Sequence, residues 1–383
     1  MPTGRVLIAH PSADLYGSDL QLVESVRGLV ADGRQVTACL PGPGPLVALL
    51  HDAGADVEFV RSPVLRKALL SPVGLLRLIA EVLRGLPRLI ATLRRLRPDA
   101  VYVNTVTIPL WVVAARLAGR PVLSHVHEAE DDVPRLISLL LNAPLLLATV
   151  VVVNSHAAAG TLFRALPRLR RRTRVVHNGV AGPNEEPLPV TPPRGGPRRA
   201  TLVGRLSPRK GSDVAVEAVA LLRSEGWDVD LELHGSVFPG YEWFEEELRE
   251  RAARADLRGH VHLAGYTSPT WPALARAELV LVPSRAEPFG NTAVEAQLAG
   301  RPVIASDVQG LREIVTPGST GLLVPPGDAR ALADAMAVVL GDEALARTLA
   351  AAGLQSARSR FIVERYRQEI AGVVSGLTQQ PEA

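Results

Sequence analysis

The sequence predicts an α/β protein of two similar domains, each a parallel sheet covered by helices on both faces. Three observations predict it. Short apolar runs alternate with helix-length segments, which suits strands buried on both faces. The alternation stops at a stretch from Gly182 to Pro197 that holds six prolines and little apolar content, and then restarts. At 383 residues, the chain also exceeds what one hydrophobic core usually organises.

In the first half, residues 5–9 read as a strand, 18–32 as a helix with an apolar stripe of Leu20, Val23, Leu29 and Val30, and 35–40 as a strand. The turn 41–45 leads to a short helix at 46–53, a strand at 57–60, and helix in one or two pieces at 75–96. A strand at 100–103, a helix at 108–117 and strands at 121–126 and 149–153 follow; Asn154-Ser155 caps a further helix, and 174–177 closes the set. In the second half, strands at 200–203, 230–234, 261–264 and 279–282 alternate with helices at 212–225, 243–255, 271–276 and 291–299. Short segments at 303–305, 311–315 and 322–324 precede a helix at 329–340 and helices from 343 to about 372; residues from Thr378 onward read as a frayed tail.

Composition excludes several classes. With 47% apolar, 21% charged and 4% aromatic residues, the chain has ample core material and no bias towards disorder. One cysteine, Cys39, excludes an intramolecular disulfide framework, and a reducing cytoplasm fits best. Residues 1–5 lead straight into a core strand rather than a signal-peptide apolar region. Residues 136–153 come nearest to a membrane span, but Ser138, Asn142, Pro144 and Thr149 interrupt them, and a helix followed by a buried strand is the better reading.

Charge is uneven: residues 1–190 carry 21 Lys/Arg against 15 Asp/Glu, net +6, and the remainder carries 21 against 24, net −3. The excess is concentrated in residues 61–97, with nine basic residues and one acidic, Glu81, among many leucines. Such a stretch suits either a helix lying on an anionic membrane surface or a domain helix with its arginines in water. A second basic cluster runs from Arg164 to Arg174. Neither cluster has interleaved aromatics or a zinc-finger spacing, so no nucleic-acid partner is expected.

The chemistry concentrates after strands. Glu287-Pro288-Phe289-Gly290-Asn291-Thr292-Ala293-Val294-Glu295 follows the run 279–283 and reads as a loop carboxylate, exposed backbone amides and a helix carboxylate. That order suits a polyhydroxylated, negatively charged ligand at a helix N-terminus. Arg205 and Lys210 flank the turn after the first strand of the second half, where two cations add to a helix N-terminus in holding phosphates. No Walker-type glycine-rich loop is present. In the first half, Gly17 at a loop-to-helix junction permits close backbone approach to a ligand, with Tyr16 and Ser18 beside it. His125, His127, Glu128, Glu130, Asp131 and Asp132 crowd the loop after another strand. Without a third well-placed ligand this is read as a cleft histidine contacting substrate rather than a metal centre. His10, His177 and Asn178 also follow strands and are further candidate cleft liners.

Taken together, Glu287 to Glu295, Gly204-Arg205 with Lys210-Gly211, Val126-His127-Glu128, Asn154-Ser155 and His177-Asn178-Gly179-Val180 resemble the retaining glycosyltransferase family 4 over nearly the whole length. The resemblance implies a GT-B fold, two Rossmann-like domains with parallel sheets facing across an interdomain cleft. Residues 1–182 would form the acceptor domain, 183–197 a linker, 198–360 the nucleotide-sugar domain, and 361–383 a helix crossing back, with a tail. It implies a nucleotide-diphosphate sugar as donor, retention of anomeric configuration, and no cofactor or essential metal. Arg205 and Lys210 would neutralise the diphosphate, amides from Phe289, Gly290, Asn291 and Thr292 would assist, and Glu295 would hold the ribose. Gly265 and Tyr266 would border the base, Glu287 and His127 would touch the transferred sugar, and Gly17 would approach phosphate or acceptor. Tyr16, Ser18, His127, Glu128 and Asn178 would line the acceptor side. The chain departs from many members at Gly17-Ser18-Asp19, which lacks their second glycine and Glu-Arg pair. The acceptor expected is a cell-envelope, polysaccharide or lipid-linked glycan, with the protein cytoplasmic and peripheral on the inner face of the plasma membrane through 61–97. The alternatives are a soluble enzyme acting on a small metabolite and a non-catalytic nucleotide-sugar-binding protein.

Overall fold

The structure, a computed structural model, describes residues 4–15, 17–65, 72–128, 135–191 and 195–378, and side chains other than those of 72–79 and 135–137. The chain divides into two compact units: residues 1–179 with 363–383, and residues 180–362.

Among the described residues, unit 1 holds seven parallel strands: β1 (Arg5–Ala9), β2 (Gln35–Leu40), β3 (Asp56–Phe59), β4 (Ala100–Asn104), β5 (Val122–Val126), β6 (Val150–Val153) and β7 (Thr173–Val175), in the order β3-β2-β1-β4-β5-β6-β7. Alternate residues supply opposite faces, as a pleated strand requires. Val6 and Ile8 of β1 join one core with Leu22, Val26 and Leu29 of helix α1 (Gly17–Ala31), whereas Leu7 and Ala9 join another. The expected stripe on α1 is offset: Leu22 and Val26 are buried and Leu20 is 48% exposed, because the face is set by 22, 26 and 29 at helical spacing.

Helix α2 (Leu46–Asp52) and the long α3 (Pro72–Leu96) connect to β4; α4 (Pro109–Leu117), α5 (Arg135–Asn142) and α6 (His156–Ala165) follow. In α3, Leu89 and Leu93 are buried against Trp111 and Val112 of α4, while Arg84, Arg88, Arg94 and Arg95 are exposed. The described part of 61–97 is thus a domain helix with a basic outer face; Arg66 and Lys67 lie outside the described residues. The stretch at 136–153 is α5, a 3₁₀ turn at 143–147 and β6, and among the described residues no helix is long and apolar enough to cross a membrane.

Unit 2 holds six parallel strands: β8 (Arg198–Val203), β9 (Val229–His234), β10 (Val261–Gly265), β11 (Leu279–Val282), β12 (Val303–Ser306) and β13 (Leu322–Val324), in the order β10-β9-β8-β11-β12-β13. Leu279 and Leu281 face a core with α7 (Ser212–Ser224), α8 (Glu242–Ala252) and α12 (Ala329–Gly341). Val280 and Val282 face the other, with α9 (Trp271–Arg276), α10 (Asn291–Leu298) and α11 (Leu311–Ile314). The segment expected as a linker packs on this unit: Val190 is buried and the Arg301 guanidinium donates to the Leu188 carbonyl at 2.9 Å.

Helix α13 (Glu343–Arg360) ends unit 2, and α14 (Val363–Thr378) belongs to unit 1. Tyr366, Ile370, Val374 and Leu377 enter the α1 core. The helices meet backbone to backbone at Gly28, where a Cβ would stand 2.8 Å from the Arg367 carbonyl oxygen; only glycine admits that approach. Ser25 on α1 lies 2.6 Å from the Tyr366 hydroxyl and 3.2 Å from that of Tyr102 on β4, joining helix, helix and sheet.

Candidate functional site

In each sheet the strand order turns back once, between β8 and β11 in unit 2 and between β1 and β4 in unit 1. Open parallel sheets take ligands beyond the carboxyl ends of their strands at such points.

In unit 2, β8 is followed by a loop whose residues Pro208–Lys210 form one 3₁₀ turn ending at Gly211. Gly211 has φ +71°, and a Cβ there would sit 2.0 Å from the Pro283 carbonyl oxygen, so the loop after β8 presses onto the loop after β11. Arg285 laces them further: its amide donates to the Arg209 carbonyl at 2.8 Å, and its guanidinium to the Pro208 carbonyl at 2.6 Å. This contact carries Lys210 to Glu287, 77 residues away, and the two form an ion pair.

Glu287 is buried. Its carboxylate also accepts from Ser284 Oγ at 3.2 Å, and its amide donates to the Gln309 side-chain oxygen at 2.8 Å. Gln309 holds φ +33°, a strained setting for a non-glycine residue. Burial alone would raise the Glu287 carboxyl, but the charges of Lys210 and Arg209 and the hydrogen bonds from Lys210 and Ser284 leave it below its ordinary value. Glu295, on α10, goes the other way: burial pushes it up to about 7, against a 3.4 Å hydrogen bond from Thr270 Oγ1 and the charge of Lys210. Burial thus dominates at Glu295, whereas the paired ammonium and its neighbours outweigh it at Glu287.

The other expected residues divide. Asn291 and Thr292 open α10 and are partly exposed, beside Gly290. The Phe289 ring is core, 2% exposed and edge-on to Phe361 at 5.6 Å, so only its backbone is available to a ligand. Arg205 stacks its guanidinium on Phe238. Gly265 ends β10 with φ +75°, and Tyr266 is 62% exposed.

In unit 1, a chain of side chains crosses the carboxyl ends of β1, β4 and β5. Asp19 Oδ1 lies 2.6 Å from His10 Nε2, His10 Nδ1 is 3.0 Å from Asn104 Nδ2, and Asn104 Oδ1 is 2.8 Å from His127 Nε2. Ser12 Oγ donates to Asp19 Oδ1 at 2.9 Å. Burial, aided by nearby His10 and opposed by the charge of Asp19, pushes the His127 imidazole down to about 3, so it is neutral near pH 7. Glu128 turns back on the backbone, accepting from the His127 amide at 2.9 Å and from Thr105 Oγ1 at 2.6 Å. Beneath His127 lies fully buried His125, ring centroids 4.0 Å apart, its Nδ1 2.6 Å from the Tyr102 hydroxyl. Gly17 and Ser18 open α1. Asn178 is buried, and its carbonyl and that of His177 accept from Arg365 of α14. Tyr16, Glu130, Asp131 and Asp132 lie outside the described residues.

Sequence reasoning did not find Ser284, Gln309, Thr270, Phe238 or Asn104, and placed Asp19 only as a departure from family pattern. Asn104 had a usable signal, since it ends the strand that flanks the turning point of the first sheet.

Comparison with known proteins matches residues 17–181 to Glycosyltransferase Family 4 and residues 197–342 to Glycosyl transferases group 1. The lipopolysaccharide core biosynthesis mannosyltransferase LpsB of Rhizobium meliloti is 34% identical over 178 residues, covering 45% of this chain and 50% of LpsB. Glycogen synthase of Mycobacterium tuberculosis is 30% identical over 288 residues, 71% of this chain and 67% of the synthase. The crystal structure of Anabaena HepE in complex with UDP and glucose superposes with a TM-score of 0.81 at 24% identity, covering 97% of this chain and 99% of HepE. The match to LpsB spans about half of that relative, whereas the likeness to HepE covers the whole fold.

Proposed function

Because this chain belongs to the family 4 glycosyltransferases of group 1, we propose that it is a retaining transferase that moves a sugar from a nucleotide diphosphate to a cell-envelope or polysaccharide acceptor. One observation carries the reading: Lys210, after β8, is ion-paired with buried Glu287, after β11, at the turning point of the second sheet. An ammonium has three donors, so Lys210 can keep Glu287 and still meet a phosphate oxygen. Its charge then offsets the negative charge that builds on the leaving diphosphate.

In this reading Glu287, held ionised, accepts from hydroxyls of the transferred sugar, and Glu295 accepts from the ribose. Arg205, braced on Phe238, and the start of α10 at Gly290, Asn291 and Thr292 complete the diphosphate site. Gly265 and Tyr266 border the base. His127 meets the sugar from unit 1, and Gly17, Ser18, Glu128 and Asn178 serve the acceptor side. Retention follows family membership: the leaving phosphate takes the acceptor's proton on the face from which it departs, and neither glutamate is assigned as a covalent nucleophile.

HepE, crystallised with UDP and glucose, and LpsB, a lipopolysaccharide core mannosyltransferase, support a uridine diphosphate sugar as donor and an envelope acceptor. Peripheral attachment to an anionic membrane at the cytoplasmic face is supported by the exposed Arg84, Arg88 and Arg94 on α3. The test is a screen of UDP-, GDP- and ADP-sugars for binding and slow hydrolysis, with Lys210→Ala and Glu295→Ala beside wild type. Binding of one nucleotide class, weakened by both substitutions, is the expected result. Binding of none overturns the reading, and Lys210→Ala binding as tightly as wild type overturns the phosphate assignment.

A further inference from the structure

The side chains that converge on His127 form one polar line with a direction. Asn104 Nδ2 donates to His10 Nδ1, which must therefore carry a lone pair, and the proton of His10 sits on Nε2 facing Asp19. The other end of the same amide, Oδ1, only accepts, so it fixes the proton of His127 on Nε2. Asp19 accepts the Nε2 proton of His10, so reversing the amide would need a second proton, on His10 Nδ1, as well as a change of tautomer at His127. The line as placed needs only neutral rings.

The line is built rather than incidental. Asp19, His10 and Asn104 are 2%, 4% and 1% exposed. Asp19 is further held by Ser12 Oγ at 2.9 Å. Immediately after Asn104 the backbone enters φ +144° at Thr105, a region side chains other than glycine rarely adopt, and the Thr105 hydroxyl donates to Glu128 at 2.6 Å. Strain of that kind persists where surroundings over-determine a geometry, and here it aims Asn104 between two histidines.

We propose that Asp19, His10 and Asn104 are positioning residues that hold His127 as its Nε2–H tautomer, so that His127 meets the transferred sugar only as an acceptor, through Nδ1. A sugar hydroxyl pointed at Nδ1 must then donate. The site would favour donors with a free hydroxyl at that position over analogues with a deoxy, methoxy or fluoro group. This rests on the reading of His127 as a donor-sugar contact.

The experiment is long-range ¹H–¹⁵N correlation of imidazole nitrogens in the full chain labelled with ¹⁵N-histidine, near pH 7 and without ligand. The chain has nine histidines, and the His127 signals are assigned by their loss in His127→Gln. The expected spectrum shows His127 protonated on Nε2 with a bare Nδ1. In Asp19→Asn, which can donate as well as accept, the Nδ1–H form should grow. The kcat for slow UDP-glucose hydrolysis should fall by about 10- to 100-fold, the range seen when the orienting partner of a metal-bound histidine is lost, with KM changed less than about twofold. A wild-type His127 that is protonated on Nδ1 or averages both forms overturns the proposal. So does an Asp19→Asn spectrum in which His127 keeps its tautomer. If the tautomer is as expected but His127→Gln hydrolyses donor like wild type, the positioning line stands and the reading of His127 as a sugar contact falls.

Discussion

Replacing Lys210 by methionine keeps the aliphatic stem and removes the ammonium ion-paired with Glu287. The pair is well shielded, its side chains 17% and 10% exposed. Breaking a buried pair by removing one partner typically costs 3–5 kcal/mol, because the survivor's desolvation is left uncompensated. With Ser284 Oγ still donating to Glu287 and some exposure on both sides, about 3 kcal/mol is expected for Lys210→Met. Glu287→Gln should cost less, about 1–2 kcal/mol, since a lysine can carry its head towards water. The double variant, with no charge left to strand, should be no worse than Lys210→Met, giving a coupling of at least about 1–2 kcal/mol in a double-mutant cycle. Urea unfolding of the four proteins at pH 7 measures it. The sign with pH is fixed: Glu287 is depressed in the fold, so its contribution is present above its ordinary value of 4.5 and is lost as pH falls below it. Additivity of the two single variants within about 0.5 kcal/mol at pH 7 would refute the argument that each ion is held in place by the other.

Three further outcomes follow from the geometry. Glu295 titrates near 7, so if its carboxylate receives the ribose, nucleotide affinity should rise about tenfold between pH 6 and 8; Glu295→Gln should flatten that profile in isothermal titration. Gly211→Ala forces a left-handed backbone on a residue with a Cβ, about 1–2 kcal/mol before the clash with the Pro283 carbonyl; thermal unfolding should show the loss, and nucleotide binding should weaken with it because Lys210 is the preceding residue. Exchanging Arg84, Arg88 and Arg94 for glutamine should abolish binding to vesicles rich in phosphatidylglycerol while leaving nucleotide affinity unchanged; unaltered co-sedimentation would remove the membrane from the proposed function.

Much of the fold was legible because each buried parallel strand announces itself alone: Val150 to Val153 or Leu279 to Val282 need no partner to be recognised. The Glu287–Glu295 spacing and the nearby cations were legible for a similar reason, each being a local pattern. What escaped was everything created by strand order. Lys210 reaches Glu287 only because β8 and β11 are neighbours, and Asn104 reaches His10 only because β4 lies beside β1. At Phe289 the expectation concerned the backbone amide, and the structure adds that its ring belongs to the core. The offset stripe on α1 has a tertiary cause too, since α14, far along the chain, covers the face that chooses Leu22 over Leu20.

That arrangement has a consequence in time. The strands of the first unit are all synthesised by Val175, but the helix that seals them against α1 begins at Val363, after the whole of the second unit. At about 5–20 residues per second, the ribosome needs roughly 10–40 s to make the intervening stretch. Through that interval Leu22, Val26 and Leu29 have no cover from Tyr366, Ile370 and Val374, and Ser25 has no Tyr366 hydroxyl to meet. The sheet that carries His127 is therefore finished last although it is translated first. A chain stalled after its second unit would carry an open apolar seam on its first, the kind of surface that holding chaperones retain until α14 emerges and closes it.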